Sequence, residues 1–321
     1  MADTEQMIPL FHINQYIIDT SKFSHMLHGL EQELEGRFAE YVGAKYACAA
    51  NSATSLITLA VRRYMPSSQQ KVCLPSIIPS VVPNAVLNGC AGIEWKDDIN
   101  WVGSAYPLFE TSRVRIIDSA QQVDHNQYHN YEYKDLAIYS FYPTKPVGGM
   151  DGGMIVGNNK EEIDWFRTAV HNGMSQENES WKRKLQFPGW KMHMNSSQAY
   201  VILKNLNRYQ DKCCRLDKIR DKYNDAFNKL NISRHLYRIN VNNRDEFINS
   251  MRNLGISTGI HYRAAHEENI YNLGEGTGED WGMSLEQSKR ESKTTVSIPF
   301  NEHLKDDEVD YIIKCVGELQ K

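Results

Sequence analysis

Short apolar runs alternate along the chain with segments whose apolar residues recur every three or four positions. The first pattern is typical of buried strands, and the second is typical of amphipathic helices. Residues 26–42 follow the helical pattern and stop before Gly43, which predicts a helix. The next segment starts with an apolar run, breaks at Asn51 and Ser52, and becomes helical from about Ser55. This order predicts a strand, a turn and a helix.

Four more apolar runs have the length of strands, and a proline-rich turn after the first of them leads into another helix. The predicted strands are residues 71–74, 114–117, 136–141 and 153–156. Short apolar strands separated by helices indicate a parallel or mixed sheet covered on both faces, which is an α/β fold. Polar residues follow several of these strands, and open α/β sheets bind ligands at that edge.

The pattern changes in the last third of the chain. Residues 196–230 predict one long helix or two helices end to end, and residues 267–282 form an acidic, glycine-rich stretch that predicts a loop. The shorter elements beyond the long helix are predicted as a strand at 235–241, a helix at 244–254, a strand at 259–262 and a helix at 306–319. We therefore expect a large domain over 1–205 and a connecting helix with a small α/β domain over 206–321.

The amino-acid composition and the net charge argue against several classes of function. The chain has 321 residues, of which 41% are hydrophobic and 24% charged, with a net charge of −4. This balance argues against a nucleic-acid-binding surface, which needs clustered Lys and Arg. No apolar run reaches the roughly 20 residues that span a bilayer, and the first residues do not resemble a secretory signal. Six cysteines without a CxxC pair argue against disulfides and zinc. We expect a cytoplasmic protein that binds neither membrane nor metal.

Three polar clusters follow predicted strands. Residues 51–55 read Asn-Ser-Ala-Thr-Ser at the start of a helix, where small residues and free N–H groups favour an anion. Asp118 ends the apolar run at 114–117, and its carboxylate could hold a proton on a heteroaromatic nitrogen. Lys145 lies in a glycine-flanked turn and is a candidate Schiff-base lysine. Each cluster alone also fits a plain interpretation: a helix cap for the first two, a surface lysine for the third.

Taken together, the clusters resemble the motifs of the DegT/DnrJ/EryC1/StrS sugar-nucleotide aminotransferases, pyridoxal-phosphate (PLP) enzymes of fold type I. The family motifs S-x-G/A-T, D-x-A-Q, S-F-x-x-x-K and G-E-G-G match residues 51–54, 118–121, 140–145 and 150–153. Further matches at 188–194, 255–266 and 297–299 extend the resemblance over nearly the whole chain. It implies the fold-type-I architecture, a mostly parallel sheet flanked by helices with a smaller C-terminal α/β domain.

The resemblance also implies roles for individual residues. Lys145 would hold PLP covalently and shuttle the proton, and Asp118 would pair with the pyridine nitrogen. The other expected cofactor contacts are Thr54, Ser55 and Ser140 at the phosphate, Gln121 at the ring, and Lys191 and His193 from across a dimer interface. His261 and Tyr262 would line the substrate entrance. These roles imply a homodimer with shared sites that moves an amino group from L-glutamate to a nucleotide-linked 4-keto-6-deoxy sugar through PLP and its amino form, PMP.

The chain departs from the family pattern in two places. The stretch after residues 71–74 has no aromatic residue to lie on the cofactor ring, so Ile78, Pro79 or an aromatic residue from elsewhere would cover it. The stretch between Pro79 and Asp118 is short, as if a strand–helix unit were missing, and contains Trp95, Trp101 and Tyr106. A related sugar dehydratase and a PLP-binding protein without turnover are the alternatives. The dehydratases carry His in place of the lysine, so Lys145 argues against the first.

Overall fold

The computed structural model describes residues 7–23, 29–177, 179–271 and 285–320. Its helices are α1 (Leu30–Val42), α2 (Ala53–Tyr64), α3 (Val81–Asn88), α4 (Lys160–Val170), α5 (Ser196–Asn207), α6 (Tyr209–Phe227), α7 (Arg244–Asn253), α8 (Glu286–Thr294) and α9 (Asp306–Leu319). Its strands are β1 (Tyr46–Ala50), β2 (Lys71–Pro75), β3 (Gly92–Lys96), β4 (Tyr106–Glu110), β5 (Arg115–Asp118), β6 (Asp135–Ser140), β7 (Gly153–Gly157), β8 (Tyr237–Asn240) and β9 (Thr295–Ile298).

The main sheet has five strands in the order β1-β7-β6-β5-β4. Strands β5 and β6 are parallel, and β7 runs antiparallel to both of its neighbours, β6 and β1. Strands β1, β5 and β6 therefore point in the same direction and end at one edge of the sheet. β2 and β3 form a separate parallel pair, and β8 and β9 form an antiparallel pair.

The predicted α/β fold with helices on a central sheet is confirmed. Of the parallel or mixed sheet that the sequence pattern allows, the structure has a mixed one, whereas the family resemblance implied a mostly parallel sheet. Three of the four neighbouring pairs in the main sheet are antiparallel, including β4 with β5. A tight turn joins β4 to β5, in which the N–H of Thr111 donates to the carbonyl of Val114 at 2.8 Å. A parallel crossover needs a dozen or more residues, so the short stretch before Asp118 leaves room only for a hairpin.

Helices cover both faces of the main sheet. The buried apolar residues of α1 and α5 belong to the core on one face, and those of α2, α3 and α4 belong to the core on the other. A third core, from Leu216 to Val316, joins α6, α7 and α9 with the β8–β9 pair. The predicted domain boundary between residues 205 and 206 lies near the end of α5. The division of the chain into two domains there remains a prediction.

Most of the predicted elements agree with the structure. The 196–230 segment forms two helices end to end, and the last helix spans Asp306–Leu319 as predicted. The predicted strand at 259–262 is wrong: Gly259 makes a single bridge to Ser297, and the chain then turns so that Ala264 can bridge to Ile77. Residues 24–28 and most of the predicted 267–282 loop lie outside the described residues. Within the described residues, no helix is long and apolar enough to cross a membrane.

Candidate active site

Five strand termini meet at the edge where the polar clusters were expected. Strands β1, β5 and β6 end there at Ala50, Asp118 and Ser140. The antiparallel strands start there: Gly153 of β7 lies opposite both Ala50 and Ser140, and Tyr106 of β4 lies opposite Asp118. The prediction that the three clusters share one edge of the sheet is confirmed.

The first cluster is a hydroxyl-lined turn that leads into α2. Ser52 caps the helix by accepting the N–H of Ser55 at 3.1 Å, and the hydroxyl of Ser55 donates to Asn51 Oδ1 at 2.7 Å. The hydroxyl of Thr54 makes no hydrogen bond with the part of the chain that the structure describes. A Cβ at Gly153 would lie 2.4 Å from the nitrogen of Ala53, so glycine allows β7 to approach this turn.

Ser140 and Lys145 bracket the turn after β6. The Ser140 hydroxyl accepts the N–H of Tyr142 at 3.3 Å, and the N–H of Lys145 donates to the Tyr142 carbonyl at 2.8 Å. A Cβ at Gly148 would lie 2.2 Å from the carbonyl oxygen of Pro143, so this tight turn needs glycine. The Lys145 amine has no hydrogen bond or ion pair with the described residues. Burial lowers its pKa to about 8, against the opposing effect of the Asp118 carboxylate.

Asp118 is held from two sides. Its Oδ1 accepts the N–H of Ala120 at 2.9 Å, and its Oδ2 accepts the hydroxyl of Tyr106 at 3.0 Å. The side chain is only 3% exposed. Burial raises the pKa of the carboxyl, while the two hydrogen bonds and the charge of Lys145 act to lower it. The Asp118 carboxylate is therefore shielded from water and held by two hydrogen-bond donors.

The expected ring and substrate residues also meet at this edge. Gln121 Oε1 accepts the N–H of Gly103 at 2.8 Å, and its Nε2 donates to the hydroxyl of Tyr262 at 3.2 Å. His261 Nδ1 lies 2.9 Å from the hydroxyl of Ser297. Burial, with the charges of Lys145 and Arg238, lowers the pKa of His261 to about 4, so its ring is neutral at pH 7.

Lys191 and His193 lie on an extended segment beside the first cluster. Met192 accepts the N–H of Asn51 at 2.7 Å, and His193 bridges to Ala50. The His193 ring stacks on His171 at 5.2 Å, and its buried Nδ1 has no hydrogen-bond partner. Burial and the charge of Lys191 lower the pKa of His193. Both residues lie near the hydroxyl-lined turn of their own chain, and their expected reach into a second chain remains a prediction.

Three aromatic side chains near the site could not be predicted from the sequence motifs. His235 is buried, and burial and the Lys145 charge hold its pKa well below the usual range. The ring of Phe11 lies 6.1 Å from that of His235 and 5.7 Å from that of His261. Tyr106 stands in the shortened stretch before Asp118. None of these residues stands in a motif, and only the tertiary fold places them near the lysine.

An aromatic group does reach the segment after β2, from a different part of the chain. Trp101 donates its indole N–H to the carbonyl of Ile77 at 2.9 Å, and its ring lies 4.5 Å from that of Tyr106. Ile78 is 2% exposed and is part of the core. Trp101 belongs to the same core as Ile78, and which group covers the cofactor ring remains a prediction.

Comparison with known proteins agrees with this geometry. Residues 116–317 match the model of the DegT/DnrJ/EryC1/StrS aminotransferase family. The spore coat polysaccharide biosynthesis protein SpsC of Bacillus subtilis (strain 168) is 26% identical over 351 aligned residues, covering 90% of this chain and 89% of SpsC. A UDP-4-amino-4,6-dideoxy-N-acetyl-beta-L-altrosamine transaminase of Campylobacter jejuni (strain 81-176) is 24% identical and covers 85% of each chain.

Solved structures share the fold. The PLP form of Spr1654 from Streptococcus pneumoniae superposes with a TM-score of 0.78 at 18% identity and covers 98% of both chains. PseC of Helicobacter pylori, an aminotransferase in pseudoaminic acid biosynthesis, gives a TM-score of 0.78 at 16% identity and covers 98% of this chain and 99% of PseC. Because the family model spans more than half of the sequence, this chain belongs to the DegT/DnrJ/EryC1/StrS aminotransferase family, whose members are PLP-dependent enzymes.

Proposed function

We propose that this protein transfers an amino group from L-glutamate to the keto group of a nucleotide-linked 4-keto-6-deoxy sugar, using PLP and PMP. The observation that carries the proposal is the unpaired amine of Lys145, with its lowered pKa, beside the buried carboxylate of Asp118. The related Campylobacter transaminase acts on a nucleotide-linked amino sugar according to its name, which supports the substrate class.

The residues at the sheet edge fit a phosphorylated pyridine aldehyde. Thr54, Ser55 and Ser140 supply hydroxyls near the start of α2, where N–H groups favour a phosphate. Gly153 lies against this turn and adds no side chain of its own. Asp118 would face the ring nitrogen, and Gln121 would lie against the ring. PLP, when bound, supplies an electron sink that stabilises negative charge on the carbon next to the transferred nitrogen.

Two side chains of this protein would manage protons. The Asp118 carboxylate, already holding two hydrogen-bond donors, has lone pairs left to keep a proton on the pyridine nitrogen. The Lys145 amine, with a pKa of about 8, is partly neutral near pH 7. A neutral amine is both a nucleophile and a base. Nζ would hold PLP through its carbonyl carbon, with the oxygen leaving as water, and once the amino donor has taken its place it would be free to accept a proton from the Cα of that donor.

The substrate side would be formed by His261, Tyr262 and Arg263. The first two are partly buried and linked to Ser297 and Gln121, while Arg263 is exposed. Its guanidinium has no hydrogen bond or ion pair with the described residues, so it is available for the diphosphate of a nucleotide sugar. Three other basic residues, Lys182, Arg183 and Lys184, are also candidates for this diphosphate. Lys182 pairs with Glu179 and Arg183 donates to the Glu177 carbonyl, whereas the Lys184 amine, like the Arg263 guanidinium, has no hydrogen bond or ion pair with the described residues.

The working unit would be a homodimer with shared sites. Lys191 and His193 are the residues expected to reach the partner's phosphate, and the buried Nδ1 of His193 lacks a partner within the described chain. Trp181 is 79% exposed and Leu185 is 65% exposed in the segment just before them. Exposed large apolar side chains of this kind favour a protein–protein contact.

A cytoplasmic location remains a prediction.

The alternatives are not favoured. A dehydratase would carry His at the lysine position, and a binding protein without turnover would not need a free amine of lowered pKa. The test is the visible spectrum of the purified protein with PLP, before and after excess L-glutamate. A yellow band that glutamate bleaches, and that a keto-sugar nucleotide restores, would support the proposal. A band that resists every amino donor would contradict it.

A further inference from the structure

Tyr106 and Asp118 meet because the sheet has an antiparallel strand at this position. Tyr106 is the first residue of β4 and Asp118 is the last residue of β5, and the hairpin register places them opposite each other. In a parallel arrangement, the start of β4 would lie at the other edge of the sheet. The antiparallel direction of β4 therefore places the Tyr106 phenol beside the Asp118 carboxylate. The family resemblance alone does not predict this contact.

The contact between them is a hydrogen bond between two buried side chains. The Tyr106 hydroxyl donates to Asp118 Oδ2 at 3.0 Å, and the two side chains are 4% and 3% exposed. Burial and the neighbouring carboxylate raise the pKa of Tyr106, so the phenol keeps its proton and acts as a donor. Trp101 packs on the Tyr106 ring at 4.5 Å and is itself anchored to the Ile77 carbonyl.

We propose that Tyr106 is a positioning residue for the cofactor, which holds the Asp118 carboxylate charged and oriented toward the ring nitrogen of PLP. The inference rests on the proposed role of Asp118. With Ala120 fixing Oδ1 and Tyr106 fixing Oδ2, the carboxyl plane cannot rotate without breaking a hydrogen bond. Each oxygen keeps a free lone pair for a third donor. Charge-assisted hydrogen bonds of this type are stronger than neutral ones.

The test compares the binding of PLP and of 1-deaza-PLP, which lacks the ring nitrogen, to the apo protein. In the wild type, PLP should bind more tightly than the deaza compound. The change Tyr106→Phe keeps the ring against Trp101 and removes only the hydroxyl. We expect it to weaken PLP binding about tenfold and to leave binding of the deaza compound nearly unchanged.

Two controls separate the possible failures. Tyr223 is also fully buried and donates to the Pro299 carbonyl at 3.0 Å, but it lies in the third core, so Tyr223→Phe should change neither affinity. Asp118→Asn should abolish the preference for PLP. If Asp118→Asn keeps the preference, the proposed role of Asp118 fails. If it removes the preference while Tyr106→Phe behaves like Tyr223→Phe, or weakens both ligands equally, the inference about Tyr106 alone is overturned.

Discussion

The amine of Lys145 and the carboxylate of Asp118 each favour the charged form of the other, yet burial outweighs that attraction at both. The pKa of Lys145 falls to about 8, and the pKa of Asp118 is raised. If the amine and the carboxylate were in direct contact, the buried ion pair would stabilise the charged form of both groups. Here the amine makes no hydrogen bond with the described residues, so it stays free to react.

The first prediction concerns the pH dependence of that amine. With a pKa of about 8, the free base rises from about a tenth of Lys145 at pH 7 to about nine tenths at pH 9. Labelling of the apo protein with a small acylating reagent, followed by peptide mass spectrometry, should show this rise, with exposed Lys184 as the internal reference for the reagent. Asp118→Asn should move the Lys145 profile to lower pH. A midpoint close to 10.5, the ordinary value, would contradict the prediction.

The second prediction is that Lys145 costs stability in the apo protein. Between pH 8 and 10.5 the unfolded chain binds a proton that the folded chain lacks, so stability rises with pH in that window. Lys145→Met should abolish transamination and raise the free energy of unfolding of the apo protein at pH 7 by about 1–3 kcal/mol. The rise of stability above pH 8 should also disappear. Denaturant unfolding of both apo proteins at pH 7 and pH 10 measures this, and equal stability at pH 7 would refute it.

The local sequence was sufficient to predict which site residues lie at the ends of strands. Asn51, Asp118 and Ser140 come directly after apolar runs, and strands that share a direction bring such residues to one edge. The contact between Gln121 and Tyr262 joins residues 141 positions apart and could be expected only from the family resemblance. The pairing of Tyr106 with Asp118 could not be expected, because the direction of β4 depends on a hairpin whose register is set by the assembled sheet.

The third prediction tests the close approach of β7 to the hydroxyl-lined turn. A Cβ at Gly153 would lie 2.4 Å from the Ala53 nitrogen, so Gly153→Ala must push β7 and the start of α2 apart. We expect a loss of about 1–3 kcal/mol of stability and at least tenfold weaker PLP binding. The matched control is Gly36→Ala in α1, where a Cβ would meet nothing within 4 Å. PLP titration and thermal unfolding report the two effects, and unchanged PLP affinity in the folded variant would argue against a phosphate site at this turn.

The fourth prediction concerns the substrate entrance. Arg263 is exposed beside Tyr262 and has no partner among the described residues, so its replacement should leave the fold intact. Arg263→Gln should raise the KM for the nucleotide sugar about tenfold, with kcat and the KM for L-glutamate nearly unchanged. Arg252→Gln on α7, another exposed arginine, is the control. Equal KM values in the two variants would remove Arg263 from the diphosphate site.

The last prediction links assembly to the site. Trp181 and Leu185 are exposed large apolar residues that precede Lys191 and His193 along the chain. If this segment packs on a second copy, the double change Trp181→Ser and Leu185→Ser should shift the protein toward monomers and lower PLP affinity, because Lys191 and His193 would no longer be held near the phosphate of the second copy.

The matched control for this pair changes two other exposed apolar residues, Leu230→Ser with Tyr133→Ser, which are 86% and 64% exposed. Tyr133 lies just before the start of β6, at the edge of the sheet opposite the candidate site. Sedimentation at several protein concentrations gives the dimer constant, and PLP titration at the same concentrations gives the affinity. If the cofactor site is shared, the first variant should weaken both dimerisation and PLP binding, and the second variant should change neither. A monomer that binds PLP with wild-type affinity would show that each chain completes its own cofactor site, with Lys191 and His193 acting where the structure places them, beside Asn51 of the same chain.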